Sequence, residues 1–240
     1  MVSDADAKEI QQQRVKRIQG AMQAPKALVE GKRQISSGSG MVVSADGHVL
    51  TNNHVIDHCD AYSVTPADDK AVPAELVAGN PSSDLALLRA SFPSNKIAAF
   101  LEREPPAATE IAVVGYPQLG RVAIKPILVA GTVYIGGRSP SPDRFMINMD
   151  IRHGNSGGPV VDRAGRVAGI VVAKVNTPAV YAKTGKAIYE VGTAIRTAVA
   201  LAFMRQNGVS PIVAQMAPDL EDAKLYNQVR GFVAQVGCWK

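Results

Sequence analysis

Residues Gly154-Asn155-Ser156-Gly157-Gly158-Pro159 set a hydroxyl between glycines. The two glycines after Ser156 leave that hydroxyl open to an approaching carbonyl. Gly154 lets a backbone N–H point at the carbonyl oxygen with no side chain in the way. A serine hydroxyl is a weak nucleophile at neutral pH and needs a neighbouring base to take its proton. Thr51-Asn52-Asn53-His54-Val55-Ile56 supplies a histidine, and Ser83-Asp84-Leu85-Ala86-Leu87-Leu88 supplies an aspartate at the mouth of an apolar run. His54 fits as the base, and later as the acid that protonates a leaving amine. Asp84 fits as the group that fixes the imidazole tautomer and stabilises the imidazolium. Taken together, these residue types imply acyl transfer through Ser156.

Two rival chemistries fail on order or composition. A Gly-x-Ser-x-Gly string also fits the elbow of an α/β-hydrolase, which needs its acid and histidine after the serine. Here His48, His54, His58 and His153 all precede Ser156. His54 and His58 stand four apart, a spacing that holds zinc on a helix, but zinc peptidases need a glutamate beside one of them as base. Val55 and Asp57 occupy those places, so neither a metal nor any other cofactor is expected.

The formal charge of +5 invites a nucleic-acid reading, yet the basic residues are scattered and 5% aromatic residues offer no stacking platform. With 46% hydrophobic and 20% charged residues, the 240-residue chain can fold around a large core. No run approaches the ~18 apolar residues that span a bilayer. Met1-Val2-Ser3-Asp4-Ala5-Asp6 is acidic and polar, unlike a signal peptide. A cytoplasmic protein fits this opening, and so does a periplasmic or secreted one whose leader has been removed. A bridge between Cys59 and Cys238 would tie the C-terminal region to the catalytic region and favour an oxidising compartment. Two separate buried thiols are the alternative.

The elements that must position these groups read as follows. Residues 4–22 lack glycine and proline until Gly20 and suggest a helix. From Ile35 to about Val191 the chain turns to short β-branched runs punctuated by Gly, Pro, Asn and Asp, the pattern of a sandwich or barrel. Candidate strands include Met41–Ser44, Val49–Thr51, Leu85–Ala90, Ile124–Val129, Thr132–Ile135, Val167–Ala173 and Ala187–Val191. A helix is expected at Thr193–Asn207, closed by Gly208, then a helix over Leu220–Arg230 and a strand over Gly231–Trp239. A weak repeat relates Gly40–Val49 to Gly158–Val167. Each copy reads as strand, glycine turn, strand; one leads into His54 and the other leaves Ser156.

The chain resembles the trypsin-like, double-β-barrel serine proteases, and within them the protease domain of the bacterial HtrA branch. The resemblance covers roughly residues 36–205. It rests on Gly38-Ser39-Gly40-Met41-Val42-Val43, Val49-Leu50-Thr51-Asn52-Asn53-His54-Val55, Ser83-Asp84-Leu85-Ala86-Leu87-Leu88 and Gly154-Asn155-Ser156-Gly157-Gly158. It implies an all-β fold of two six-stranded antiparallel β-barrels with an N-terminal helix and a C-terminal helix/strand extension. Residues 1–34 would form the N-terminal helical extension and 35–118 the first barrel, with His54 and Asp84. Residues 119–207 would form the second barrel, with Ser156 and a helix, and 208–240 an extension packed on the protease domain.

The same resemblance implies a serine endopeptidase acting on protein or peptide substrates, with the Gly154 and Ser156 N–H groups as oxyanion hole. A catalytically weak relative that binds peptides is the alternative. Asn155 stands where zymogen-type relatives carry an acid that pairs with a new N-terminus, so no activation by N-terminal cleavage is expected. Asp150 falls at the floor of the S1 pocket, with His153, Val172 and Ala173 beside the substrate. Asp150 would favour a P1 Lys or Arg if buried there, whereas pairing with Arg152 or facing solvent would leave the branch's aliphatic preference. The residues after Asn207 are too few for the PDZ module that usually follows. Oligomeric state is not legible.

Overall fold

The computed structural model describes residues 29–67, 69–92, 94, 96–118, 125–135, 139, 141–174, 190–215 and 217–240, without the side chains of Ala173 and Lys174. The helix expected over residues 4–22 lies outside them. Among the described residues no helix is long and apolar enough to cross a membrane.

The β-branched runs form two barrels. In the first, β1 (Gln34–Val42), β2 (His48–Thr51), β3 (Ala61–Pro66), β4 (Val72–Asn80), β5 (Leu85–Ala90) and β14 (Val233–Trp239) close in the order β1-β14-β3-β4-β5-β2. All neighbours are antiparallel. Leu85, Ala86, Leu87 and Leu88 are buried in succession, as expected of a strand covered on both faces. In the second, β7 (Glu110–Gly115), β8 (Ile127–Val133), β9 (Arg144–Asn148), β10 (Pro159–Asp162), β11 (Val167–Lys174) and β12 (Val191–Arg196) run in the order β10-β7-β8-β9-β12-β11, and the β10–β11 pairing shuts the ring. A short parallel annex, β6 (Ala99–Phe100) and β13 (Ile212–Val213), adds to β11. The fold is the all-β double barrel.

Each copy of the weak sequence repeat is an antiparallel hairpin, one per barrel: Met41 opposes Leu50 in β1–β2, and Val160 opposes Gly169 in β10–β11.

The expected strand Ala187–Val191 lies outside the described residues up to residue 189, and local expectations shift clearly at Gly131 and Thr193. Gly131 marks no break between two strands: it lies inside β8, where a Cβ would meet the Asn148 carbonyl oxygen and the Met149 side chain. The glycine serves close strand approach rather than a turn. The helix expected from Thr193 starts at Thr197, as α2 (Thr197–Gln206), because Thr193, Ala194 and Ile195 are already held as strand by both β9 and β11. (The short helix α1, Asn53–Ile56, precedes it in the chain.)

The C-terminal region engages both barrels. Before and within α3 (Asp222–Val229), Leu220 N–H donates to the Arg163 carbonyl at 2.8 Å, Arg163 donates to Asp222 at 2.6 Å and Gln228 donates to the Ala164 carbonyl at 3.1 Å. These contacts seat the helix on the β10–β11 turn of the second barrel. The chain then enters the first barrel as β14, between β1 and β3. Cys238 on β14 is bridged to Cys59, with Cα atoms 5.4 Å apart.

Candidate active site

β2 runs directly into α1. Val55 and Ile56 are buried and anchor this single turn, which leaves the His54 side chain 47% exposed above it. Asp84 ends the turn before β5 in the left-handed region, φ +56°, a conformation that aspartate tolerates better than most residues. Asn52 Nδ2 holds the Asp84 carbonyl at 2.9 Å. The kink aims the Asp84 carboxylate at His54. Oδ1 and Oδ2 both lie 2.9 Å from Nδ1, and Oδ1 also accepts the His54 backbone N–H at 3.0 Å. A carboxylate only accepts, so Nδ1 carries the ring proton and Nε2 is left as the basic nitrogen.

Ser156 sits in the turn between β9 and β10. Its carbonyl accepts the Ser39 N–H at 2.8 Å, and Gly157 N–H donates to the Val171 carbonyl at 2.9 Å. The Ser156 hydroxyl donates to the Val172 carbonyl at 2.8 Å. Among the described residues that is its hydrogen bond, and His54 Nε2 is not its acceptor.

The preceding turn presents two backbone donors. Gly154 has φ +91°, and a Cβ there would run into the Tyr116 carbonyl oxygen, so only glycine fits. The His153 carbonyl accepts the Gln118 N–H at 2.7 Å, and the Gly154 carbonyl accepts the Ser39 hydroxyl at 2.7 Å. Both peptide planes flanking Gly154 are thereby held. The Gly154 and Ser156 N–H groups have no acceptor among the described residues. The Asn155 side chain is 1% exposed, and neither its oxygen nor its nitrogen has a partner there.

Around the expected pocket, Asp150 faces Arg152, whose Nε and Nη2 lie 2.7 and 2.6 Å from its Oδ2. The His153 side chain is exposed and Val172 is buried; the side chain of Ala173 lies outside the described residues. His58 is exposed and faces Asp57 at 3.3 Å.

Sequence alone singles out His54, Asp84, Gly154 and Ser156 as candidates, whereas Ser39 and Gln118 were not singled out. Ser39 had a signal, being a polar residue between two glycines at the start of an apolar run. Gln118 had none, since it contributes through its backbone.

The trypsin-like peptidase domain family matches residues 38–170, a stretch that contains His54, Asp84 and Ser156. The chain is 33% identical over 204 residues to the uncharacterized protein y4bJ of Sinorhizobium fredii, covering 85% of this chain and 32% of that protein. It is 36% identical over 146 residues to a probable periplasmic serine endoprotease, DegP-like, of Brucella suis, covering 59% and 28%. Among solved structures, the HtrA-type protease AlgW with a decapeptide is similar at TM-score 0.60 and 28% identity, covering 71% of this chain and 51% of that one. The chain spans about a third of the length of these curated relatives. It belongs to the trypsin-like peptidase domain family, and within that family it is similar to HtrA-type proteases.

Proposed function

We propose that the chain is a serine endopeptidase that hydrolyses peptide bonds through an acyl-enzyme. The observation that carries this reading is the His54–Asp84 pair, with Nδ1 committed to the carboxylate and Nε2 left free to take a proton. Ser156 first releases the Val172 carbonyl and turns its hydroxyl to Nε2. That step exchanges one hydrogen bond for another, a difference of about 1 kcal/mol. Oγ then attacks the scissile carbonyl carbon while its proton moves to Nε2. The carbonyl electron pair becomes an oxyanion facing the Gly154 and Ser156 N–H groups. Collapse of the tetrahedral adduct expels the amine, which takes the proton from His54. Water, deprotonated by the same nitrogen, then attacks the acyl carbon, and the second adduct releases the acid product as Ser156 Oγ leaves and takes its proton back from His54.

The Asp150–Arg152 pair supports a small aliphatic P1 side chain over a basic one, because the carboxylate already carries a guanidinium. The disulfide, together with the periplasmic setting named for the Brucella relative, favours an oxidising compartment outside the cytoplasm.

A fluorophosphonate probe and an unfolded-protein substrate test the reading. Labelling and cleavage by the parent chain, both abolished in Ser156→Ala, are expected. A folded parent chain that neither labels nor cleaves would leave a peptide-binding relative as the better description.

A further inference from the structure

We propose that the Ser39 hydroxyl is a positioning residue for the oxyanion turn, joining the first barrel to the groups that would stabilise the transition state in the second. The inference rests on the peptidase reading above and names a part of the site outside the triad.

Ser39 lies on β1, paired with Gln235 of β14, and is fully buried. A buried hydroxyl must find partners, and this one spends both capacities across the barrel interface. It donates to the Gly154 carbonyl at 2.7 Å and accepts the Tyr116 N–H at 2.8 Å. Its own main chain adds two further ties: the N–H donates to the Ser156 carbonyl, and the carbonyl accepts the Thr51 hydroxyl at 2.7 Å. One residue thus holds the carbonyls of both Gly154 and Ser156, the two residues whose N–H groups have no acceptor among the described residues and would form the oxyanion hole.

The turn needs such an anchor. A glycine with φ +91° has no side chain to resist rotation of its peptide planes. On one side the Gln118 N–H holds the His153 carbonyl; on the other the Ser39 hydroxyl holds the Gly154 carbonyl. The Gly154–Asn155 plane links the Gly154 N–H on one side to the Ser156 N–H on the other. With the second hold gone, it keeps only the Asn155 N–H bond to the Arg152 carbonyl at 3.1 Å, and the relative aim of the two donors loosens. Losing an oxyanion donor outright lowers rate on the order of 10²–10³-fold, and a misplacement of about 1 Å has a comparable effect. Ser39 touches no reacting atom and acts through Gly154.

The test compares Ser39→Ala with Thr51→Val, which removes a buried hydrogen bond to the same residue without touching Gly154. Kinetics on a peptide substrate, affinity for a peptide boronate and thermal unfolding are read on both variants. For Ser39→Ala the expected result is a roughly 10- to 100-fold fall in kcat with KM within about twofold. Boronate affinity should fall by the same factor as kcat, and Thr51→Val should keep kcat within a few-fold. A kcat change below about twofold in Ser39→Ala, a loss confined to KM, unchanged boronate affinity, or an equal kcat loss in Thr51→Val would each overturn the proposal.

Amide exchange at Tyr116 and Asn155, measured without substrate, reads the anchor separately. Both should exchange faster in Ser39→Ala, and unchanged Asn155 exchange overturns the assignment even if the parent chain proves inert. An inert parent chain with accelerated exchange refutes the peptidase reading and leaves the anchor standing.

Discussion

Cys238 is bonded to Cys59, two residues beyond the Asp57 cap of the helix that carries His54. The bond ties the strand that completes the first barrel to the segment presenting His54. Its closed loop spans a sequence separation of 179, so its loss releases a large part of the unfolded chain's entropy.

Removing that bond with Cys59→Ser and Cys238→Ser together should lower stability by about 2–5 kcal/mol. Guanidinium unfolding under non-reducing conditions measures it. The denatured, unreduced parent chain should titrate no free thiol, since both cysteines are bridged.

Asp84→Asn should lower kcat about 10⁴-fold while leaving the fold intact, because an amide can accept at His54 only with a competing donor beside it. Ser156→Ala should lower it on the order of 10⁶-fold. Steady-state kinetics with matched circular dichroism spectra separates these losses from unfolding.

Gly154→Ala should cost activity by at least the 10²–10³-fold expected of a lost oxyanion donor. The added methyl meets the Tyr116 carbonyl, and φ +91° is strained for alanine. The parent chain and variant should differ far more in kcat than in KM.

Arg152→Ala should raise cleavage after Lys or Arg relative to aliphatic residues by several-fold, since it removes the guanidinium that answers Asp150. A peptide-library digest of both proteins reads the ratio. An unchanged ratio would place Asp150 outside the pocket that selects P1.

His48 offers a pH dependence remote from the site. Burial, and secondarily the charge of Arg89, hold its imidazole below the ordinary value of 6.5, with Asp46 opposing. The folded chain therefore binds this proton less readily than the unfolded one. Its contribution to stability is complete above pH 6.5 and is lost as pH falls through the lower folded value. His48→Gln should flatten the acid side of the Tm-against-pH curve, measured by calorimetry.

What could be read from sequence divides by the kind of contact involved. His54, Asp84 and Ser156 announce themselves because side-chain chemistry needs particular residue types in short motifs. The double barrel was legible through its punctuation and those motifs. Strand edges were less so: Gly131 looked like a break, yet it serves an approach between β8 and the Asn148 backbone, which only tertiary packing reveals. Thr193–Ile195 carry helix-compatible neighbours but are claimed by two flanking strands. Gln118 was silent because a backbone N–H leaves no trace in residue type. The rotamer of Ser156, turned to Val172, likewise depends on a carbonyl sixteen residues away.

The seating of β14 beside β1 carries one more consequence. A barrel whose opening stave is Gln34–Val42 and whose last is Val233–Trp239 stays an incomplete ring until synthesis has passed Trp239. Closure across so much intervening chain is entropically slow. During translation the His54–Asp84 pair therefore rides on an unfinished half until Val233–Trp239 is free to pair with Gln34–Val42.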